Sequence, residues 1–417
     1  MQDFAAFVGI DWSDSKHDLC LVDSSTSKKE FSVLTHSPEA IDEWASGLRS
    51  RFPGNKIAVC LEQSRGPLIY ALLKYDFFVL YPINPSTLAR YREAFSPSRA
   101  KDDPKDAEYL VELLIHHRDR LRVWLPDDLK SRQLRFLVEH RRRLVADRTR
   151  LSNRLTAELK GYFPQVLLWF SDVRTLLVCD FLLRWPSLCE VKRARRGTLE
   201  KFFREHNSSR KEKLEERISS INKAINLTTD QAVINSSVLM VKALARQMKV
   251  TIEAIKEFDR EIEVLCSSHE DYHLFESLPG SGKVYASRML AAIGSNREKF
   301  ATAQELACLS GIAPVIERSG KSSWVRWRYF CPKFLRQTFH EYAGESILHS
   351  FWAKAYYECQ RGKGKNHAAA VRALAYKWIR IIWRCWKTKT EYDEVKYLES
   401  LRKKNSPLLK YAASHPE

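Results

Sequence analysis

Phe7-Val8-Gly9-Ile10-Asp11 and Ile57-Ala58-Val59-Cys60-Leu61-Glu62 are the stretches that decide the fold. Each is an unbroken apolar run that ends in an acid. Runs without polar alternation belong to strands buried on both faces, the habit of parallel strands covered by helices. Residues 5–12, 19–22 and 30–34 have the composition of three successive strands joined by short turns. Residues 38–49 place Ile41, Trp44, Ala45 and Leu48 at helical spacing. A fourth strand over 57–61, a helix over 68–74 and a fifth strand over 77–83 follow. This is a mixed α/β pattern, compatible with a ribonuclease-H-like sheet and with many other α/β folds.

The acids that close the two runs are the first functional signal. Asp11 and Glu62 stand at the ends of strands, and Asp103 and Asp106 stand three apart at a predicted helix start. Spacing of i and i+3 puts the last two on one helical face. Four such carboxylates can converge on divalent cations. Oxygen ligands suit Mg²⁺, and two ions about 4 Å apart clamp a phosphoryl displacement. Each acid also has an ordinary alternative. Asp commonly ends strands; Asp103 before Pro104 fits a helix cap, and Asp106 fits a first-turn acid facing the helix dipole. The combination favours a metal site. Asp14 and Asp18 fall on a predicted turn and a strand start.

The 417 residues allow two or three domains, and 44% hydrophobic content supports their cores. The net charge is +18, and residues 317–404 hold 20 Lys and Arg against 8 Asp and Glu. A clustered surplus of this size points to nucleic-acid phosphates rather than to a merely solvated face. Nine cysteines without a Cys-x-x-Cys pair argue against a disulfide framework and against structural zinc. They fit reduced thiols in a cytoplasmic protein. No signal peptide and no membrane-spanning run is expected.

Residues 129–159 predict a long helix, with Leu137, Leu144 and Leu151 seven apart among Arg141, Arg142, Arg143, Arg148, Arg150 and Arg154. The basic stretch 193–210 predicts a loop or an exposed helix. A second long helix carries heptads: Val241, Met248, Ile255 and Ile262 on one seam position, Leu244, Thr251, Phe258 and Leu265 on the other. This pattern fits a coiled coil and equally a helix packed inside its own chain. Leu278-Pro279-Gly280-Ser281-Gly282 predicts a tight turn at the start of a helix over 284–293, a geometry able to bind a phosphate. Gly280-Ser281-Gly282-Lys283 lacks the spacing of a P-loop, which excludes nucleotide hydrolysis. The last dozen residues are expected to form a disordered tail.

Further on, Arg318-Ser319-Gly320-Lys321 sets a serine between two cations. Cations there would stabilise a transition-state phosphate and help ionise the hydroxyl, although Ser-Gly in a basic loop is also an ordinary turn. Trp324, Arg326, Trp327, Arg328 and Tyr329 interleave rings with cations, which suits stacking on unpaired bases and also suits an amphipathic strand. Arg90, Arg92, Arg99 and Lys101 precede the Asp103/Asp106 pair and are candidate phosphate contacts, together with Arg318, Lys321, Arg326 and Arg328. Trp378, Trp383 and Trp386 flank Ile379, Ile381 and Ile382 and are expected in the core.

In this order, Val8-Gly9-Ile10-Asp11, Glu62, Ala100-Lys101-Asp102-Asp103-Pro104-Lys105-Asp106-Ala107, Leu278-Pro279-Gly280-Ser281-Gly282, Gly311-Ile312-Ala313-Pro314 and Arg318-Ser319-Gly320 resemble the DEDD insertion-sequence transposases of the one-ten/eleven-eleven group. These are the bridge-RNA-guided recombinases, and the resemblance covers nearly the whole chain. It implies a RuvC-like ribonuclease-H domain over 1–125, a helical coiled-coil region over 126–272, a helical serine-bearing transposase domain over 273–404 and a tail over 405–417. It implies that Asp11, Glu62, Asp103 and Asp106 bind Mg²⁺ and that Ser319 forms a covalent link to cleaved DNA. Donor and target DNA, a structured guide RNA and a homo-oligomer, a dimer or tetramer, are its implied partners. Asp102 departs from the small residue usual in the family, and the i, i+3 spacing selects Asp103 as the ligand. The rival expectations are a Holliday-junction-type metal endonuclease working through water, with Ser319 dispensable, and a non-catalytic nucleic-acid-binding protein.

Overall fold

The computed structural model describes residues 4–62, 66–95, 103–208, 210–320 and 322–408. The chain divides into two compact units, Met1–Pro126 and Asp127–Glu417.

The first unit is built on a five-stranded sheet. Strands β1 (Ala6–Trp12), β2 (Lys16–Asp23) and β3 (Lys29–Thr35) form an antiparallel meander. Strands β4 (Ile57–Leu61) and β5 (Phe78–Pro82) run parallel to β1, giving the order β3-β2-β1-β4-β5. The apolar runs are unbroken because helices cover both faces. On one face Val8, Ile10, Val59 and Leu61 meet Ile41 and Leu48 of α1 (Pro38–Arg51) and Leu68 and Leu72 of α2 (Pro67–Leu72). On the other face Ala58 and Cys60 meet Leu88 of α3 (Pro85–Phe95) and Leu110 and Leu114 of α4 (Asp103–His117), while Cys20 and Val22 meet Ala107 and Val111 of α4. Each such fully buried aliphatic side chain contributes about 2 kcal/mol.

Gly9 sets the height of α4 over the sheet. A Cβ at Gly9 would lie 2.1 Å from the carbonyl oxygen of Ala107, so only a residue without a side chain lets the first turn of α4 cross β1 there. Side chains alternate across a strand. Asp11, two residues beyond Gly9, therefore shares the α4 face.

In the second unit two long helices pair. Asp128 caps α5 (Leu129–Tyr162), and Asp230 caps α6 (Gln231–Ser267). Leu134 and Val138 near the start of α5 share a core with Ile262 and Cys266 near the end of α6; Leu151 and Leu155 share another with Leu244 and Met248. The helices are thus antiparallel, and an Arg141–Asp259 ion pair bridges them. The heptad seam of α6 packs within its own chain, with Val241, Met248, Ile255 and Ile262 all buried. Residues 193–210, expected as a loop or exposed helix, include a helix (Arg196–Glu205) that buries Leu199, Phe202 and Phe203. Those three stand at i, i+3 and i+4, an apolar stripe that the surrounding cations obscured.

The Leu278–Gly282 turn leads into α7 (Gly282–Ile293). Gly280 has φ +72°, and the ring of His349 occupies the place its Cβ would take, 2.4 Å away. Beyond it come a two-stranded hairpin, β6 (Val315–Ser319) and β7 (Ser322–Arg326), and the helices α8 (Lys333–Ser346) and α9 (His367–Thr388). Trp378 and Trp386 of α9 are fully buried, with Ile379 and Ile382 beside them. Among the described residues no helix is long and apolar enough to cross a membrane.

Candidate functional site

The carboxylates converge at the ends of the central strands. In the register, Ile10 pairs with Leu61, so Asp11 and Glu62 each follow the last paired residues of adjacent parallel strands. Asp103 and Asp106 lie in the first turn of α4, which Gly9 admits against β1. One oxygen from each of Asp11, Asp103 and Asp106 falls within 4.8 Å of the other two. Glu62 is not part of that group of three; it is half-buried just past β4, on the same sheet face as Asp11. Asp106 is 1% exposed and Asp11 9%. Three mutually close carboxylates, two of them largely buried, form an all-oxygen donor set that fits a hard divalent cation.

Asp106 has a cationic partner that spacing did not reveal. Arg92 of α3 donates from Nε to one oxygen at 2.6 Å and from Nη2 to the other at 2.5 Å. The fork-to-fork geometry is the strong form of this pair. Arg92, a candidate phosphate contact, has its guanidinium on a site acid in this structure. Fourteen residues separate the two, and the pair arises only because α3 and α4 pack together. Asp18 lies in β2. It stands directly opposite Asp11 in the β1–β2 register, so both acids share one face.

Behind this site His17 is fully buried. The backbone N–H of Ser13 donates to its Nδ1 at 3.4 Å, which leaves Nε2 to donate to Nδ1 of His36 at 3.0 Å. Burial, and then the neighbouring His36, hold His17 down to about 4, so the ring is neutral at pH 7. Burial, followed by the Glu62 charge, pushes Cys60 up to about 12, and Cys20 is held at about 11 chiefly by burial. Both remain thiols at neutral pH.

Ser319 ends β6 in the other unit. It faces Ser322 across the hairpin, next to Gly320 with φ +57°. Every described hairpin residue except Val315 is exposed, Trp324 by 49% and Val325 by 72%. The strand has no core face, contrary to the amphipathic alternative. Arg318 is exposed, Arg326 pairs with Glu317 at 3.0 Å, and Arg328 is half-buried with its Nη2 3.8 Å from Cys308 Sγ. Arg90 is exposed on α3. Arg99, Lys101, Lys321 and Asp102 lie outside the described residues.

Comparison with known proteins finds transposases and insertion-element proteins. Residues 8–164 match a family model described as a transposase, and residues 272–358 match one described as the transposase IS116/IS110/IS902 family. The IS117 mini-circle protein of Streptomyces coelicolor is 26% identical over 98% of each chain. The 44.8 kDa protein of insertion element IS116 from Streptomyces clavuligerus is 27% identical over 76% of this chain and 78% of its own. The 42 kDa protein of insertion element IS900 from Mycobacterium paratuberculosis is 23% identical over 90% of this chain and 94% of its own. The first model spans the acids and the second spans the serine hairpin, and the chain belongs to the IS110 family of DEDD transposases, DNA-recombining enzymes.

Proposed function

We propose that this transposase cuts and rejoins DNA by two transesterifications, with Ser319 as nucleophile and Asp11, Glu62, Asp103 and Asp106 holding Mg²⁺. The observation that carries the metal reading is the convergence of three carboxylates within 4.8 Å at the ends of parallel strands. Glu62, on the same sheet face just past β4, is the fourth acid of the set. A divalent ion bound there supplies charge stabilisation for a phosphoryl displacement. The three-strand meander followed by two parallel strands supports a RuvC-like fold for 1–125, with 126–272, 273–404 and 405–417 as the helical region, serine-bearing domain and tail. The exposure of the hairpin supports Ser319 as the attacking group, because its hydroxyl meets a phosphodiester without displacing core.

In the first step Ser319 Oγ bonds to phosphorus, the P–O3′ bond breaks, and the serine proton ends on the departing 3′ oxygen. In the second step a 3′ hydroxyl of the partner DNA attacks the phosphoserine and releases the serine. One phosphodiester is exchanged for another, so no external energy source is required. A guide RNA that pairs with donor and target, action in the prokaryotic cytoplasm and assembly as a dimer or tetramer follow from the resemblance alone and belong to this proposal. Ser319→Ala is expected to abolish covalent protein–DNA adducts and strand exchange while RNA capture persists. Recombination at wild-type rate by that variant refutes the serine role and favours a water-using nuclease.

A further inference from the structure

Where the hairpin returns to the helical body, Trp327 separates two cavities of about 680 and 450 Å³. The larger is walled by Arg142, Lys333, Arg336 and Arg372; among the described residues its one acid is Glu341, which takes a hydrogen bond from Arg288 at 2.6 Å. The smaller carries Arg326, Arg328, Lys365 and again Arg372, and no acid among the described residues. Arg372 lies at the junction, its guanidinium carbon 3.0 Å from the centre of the Trp327 ring, and Arg336 approaches the same ring at 6.0 Å.

Arg326 pairs with Glu317, whereas Arg142, Arg328, Lys333, Arg336, Lys365 and Arg372 have no acidic partner among the described residues. The Nε atoms of Arg142, Arg328 and Arg372 are buried and have no hydrogen-bond acceptor among the described residues. Burial, and then the neighbouring Arg336, lower Arg372 to about 10. Like charges brought together out of water are costly, and an uncompensated donor adds to the cost. An anion that enters the cleft relieves both. Trp327 is still 40% exposed and Tyr329 75%, so flat apolar surface lies beside the anion site. Phosphate next to an aromatic platform is the chemistry of an unpaired nucleotide.

We propose that this cleft is a subsite for an unpaired nucleic-acid strand, with Lys333, Arg336 and Arg372 on its phosphates and Trp327 beneath a base. Trp327 directly follows Arg326, the last residue of β7, and β7 pairs with the strand that ends in Ser319. Five residues of strand span about 17 Å, so a nucleotide held here stays close to the hairpin tip. The inference rests on the serine reading for its purpose, but its test does not.

Fluorescence anisotropy of the full chain is measured with labelled twelve-residue oligo(dT), oligo(rU) and a duplex of equal length. Arg336→Gln combined with Arg372→Gln is expected to weaken single-strand binding at least tenfold. It should also flatten log K against log salt by about 1.4, two contacts at 0.7 each. Trp327→Ala should weaken single strands several-fold and leave the duplex unchanged. Lys333→Gln, on the exposed end of α8, provides a milder variant if the double change impairs folding. A preference for oligo(dT) assigns the cleft to a DNA strand of the element, and a preference for oligo(rU) assigns it to the guide. Equal losses for single strands and duplex, or unchanged affinity and salt slope in folded variants, overturn the proposal. Ser319→Ala binding as wild type keeps this outcome separate from the fate of the serine reading.

Discussion

Arg92 and Gly9 both bear on the first turn of α4, which carries Asp106. Arg92 neutralises Asp106, which is 1% exposed. Removing one partner of a buried pair costs about 3 kcal/mol. Arg92→Ala is therefore expected to lower the unfolding free energy by that amount in metal-free buffer. Mg²⁺ should then raise the melting temperature of the variant more than that of wild type, because the ion replaces the lost guanidinium charge. Equal shifts on adding Mg²⁺ would count against Asp106 as a ligand. Gly9→Ala tests the geometry rather than the charge. A methyl cannot fit 2.1 Å from the Ala107 carbonyl oxygen, so α4 must lift from β1. A loss of roughly 2 kcal/mol is expected from overpacking, with weaker divalent-ion binding by calorimetry. The acids themselves were legible in the sequence, because each ended an apolar run or opened a helix. Arg92 was not, since nothing local distinguishes a guanidinium aimed at a carboxylate from one aimed at a phosphate. Asp103 converges with Asp11 and Asp106, as its helical spacing predicts, and Asp102 lies outside the described residues.

At the scale of elements, patterning revealed the faces but not the partners. The strands of the first unit were legible because burial on both faces forbids polar alternation. The heptads of α6 were equally plain, yet a seam says only that something packs there; the partner is α5, some seventy residues earlier. The helix Arg196–Glu205 was missed because charge masked three apolar positions. The hairpin β6–β7 has no packed face, and an isolated two-stranded ribbon is marginal in water. Its amides are expected to exchange within seconds in the free protein and to slow on adding DNA, as hydrogen–deuterium exchange would show. Persistent protection without nucleic acid would mean that the hairpin is ordered by the protein alone. A second element-scale prediction concerns β2, which His17 ties to His36 ahead of α1. The folded ring titrates at about 4 against 6.5 for an ordinary histidine. Between those values the unfolded chain takes up the proton and the native state does not, so stability is complete above pH 6.5 and falls as pH drops. From pH 7 to 5 the loss from this ring is about 2 kcal/mol. Urea unfolding of His17→Asn should show an acid loss smaller than wild type by that amount.

For the whole molecule, the two groups on which the proposed chemistry depends lie in different compact units: the acids in Met1–Pro126, Ser319 in Asp127–Glu417. Each unit has its own hydrophobic core, so damage to one site leaves the other folded. The net charge of +18 and the cation-rich C-terminal stretch made the nucleic-acid partner legible early. Which chain supplies which group to one scissile phosphate was not legible, because composition and periodicity carry no information about assembly. The separation makes that question answerable. Asp11→Asn removes a carboxylate charge from the first unit, and Ser319→Ala removes a hydroxyl from the second. Neither is expected to unfold the chain, because Ser319 is exposed and Asn keeps the shape of Asp11. If the acids of one subunit serve the serine of another, mixing the two inactive variants builds mixed oligomers. Some of their composite sites then pair an intact acid set with an intact serine. In a symmetric dimer about half of the assemblies are mixed, each with one working site. The expected outcome is recovery of covalent adducts and strand exchange on mixing, with the adduct found only on the Asp11→Asn chain when the two chains carry tags of different mass. No recovery, with both variants folded and exchanging subunits, would place the acids and the serine of each reaction in a single chain.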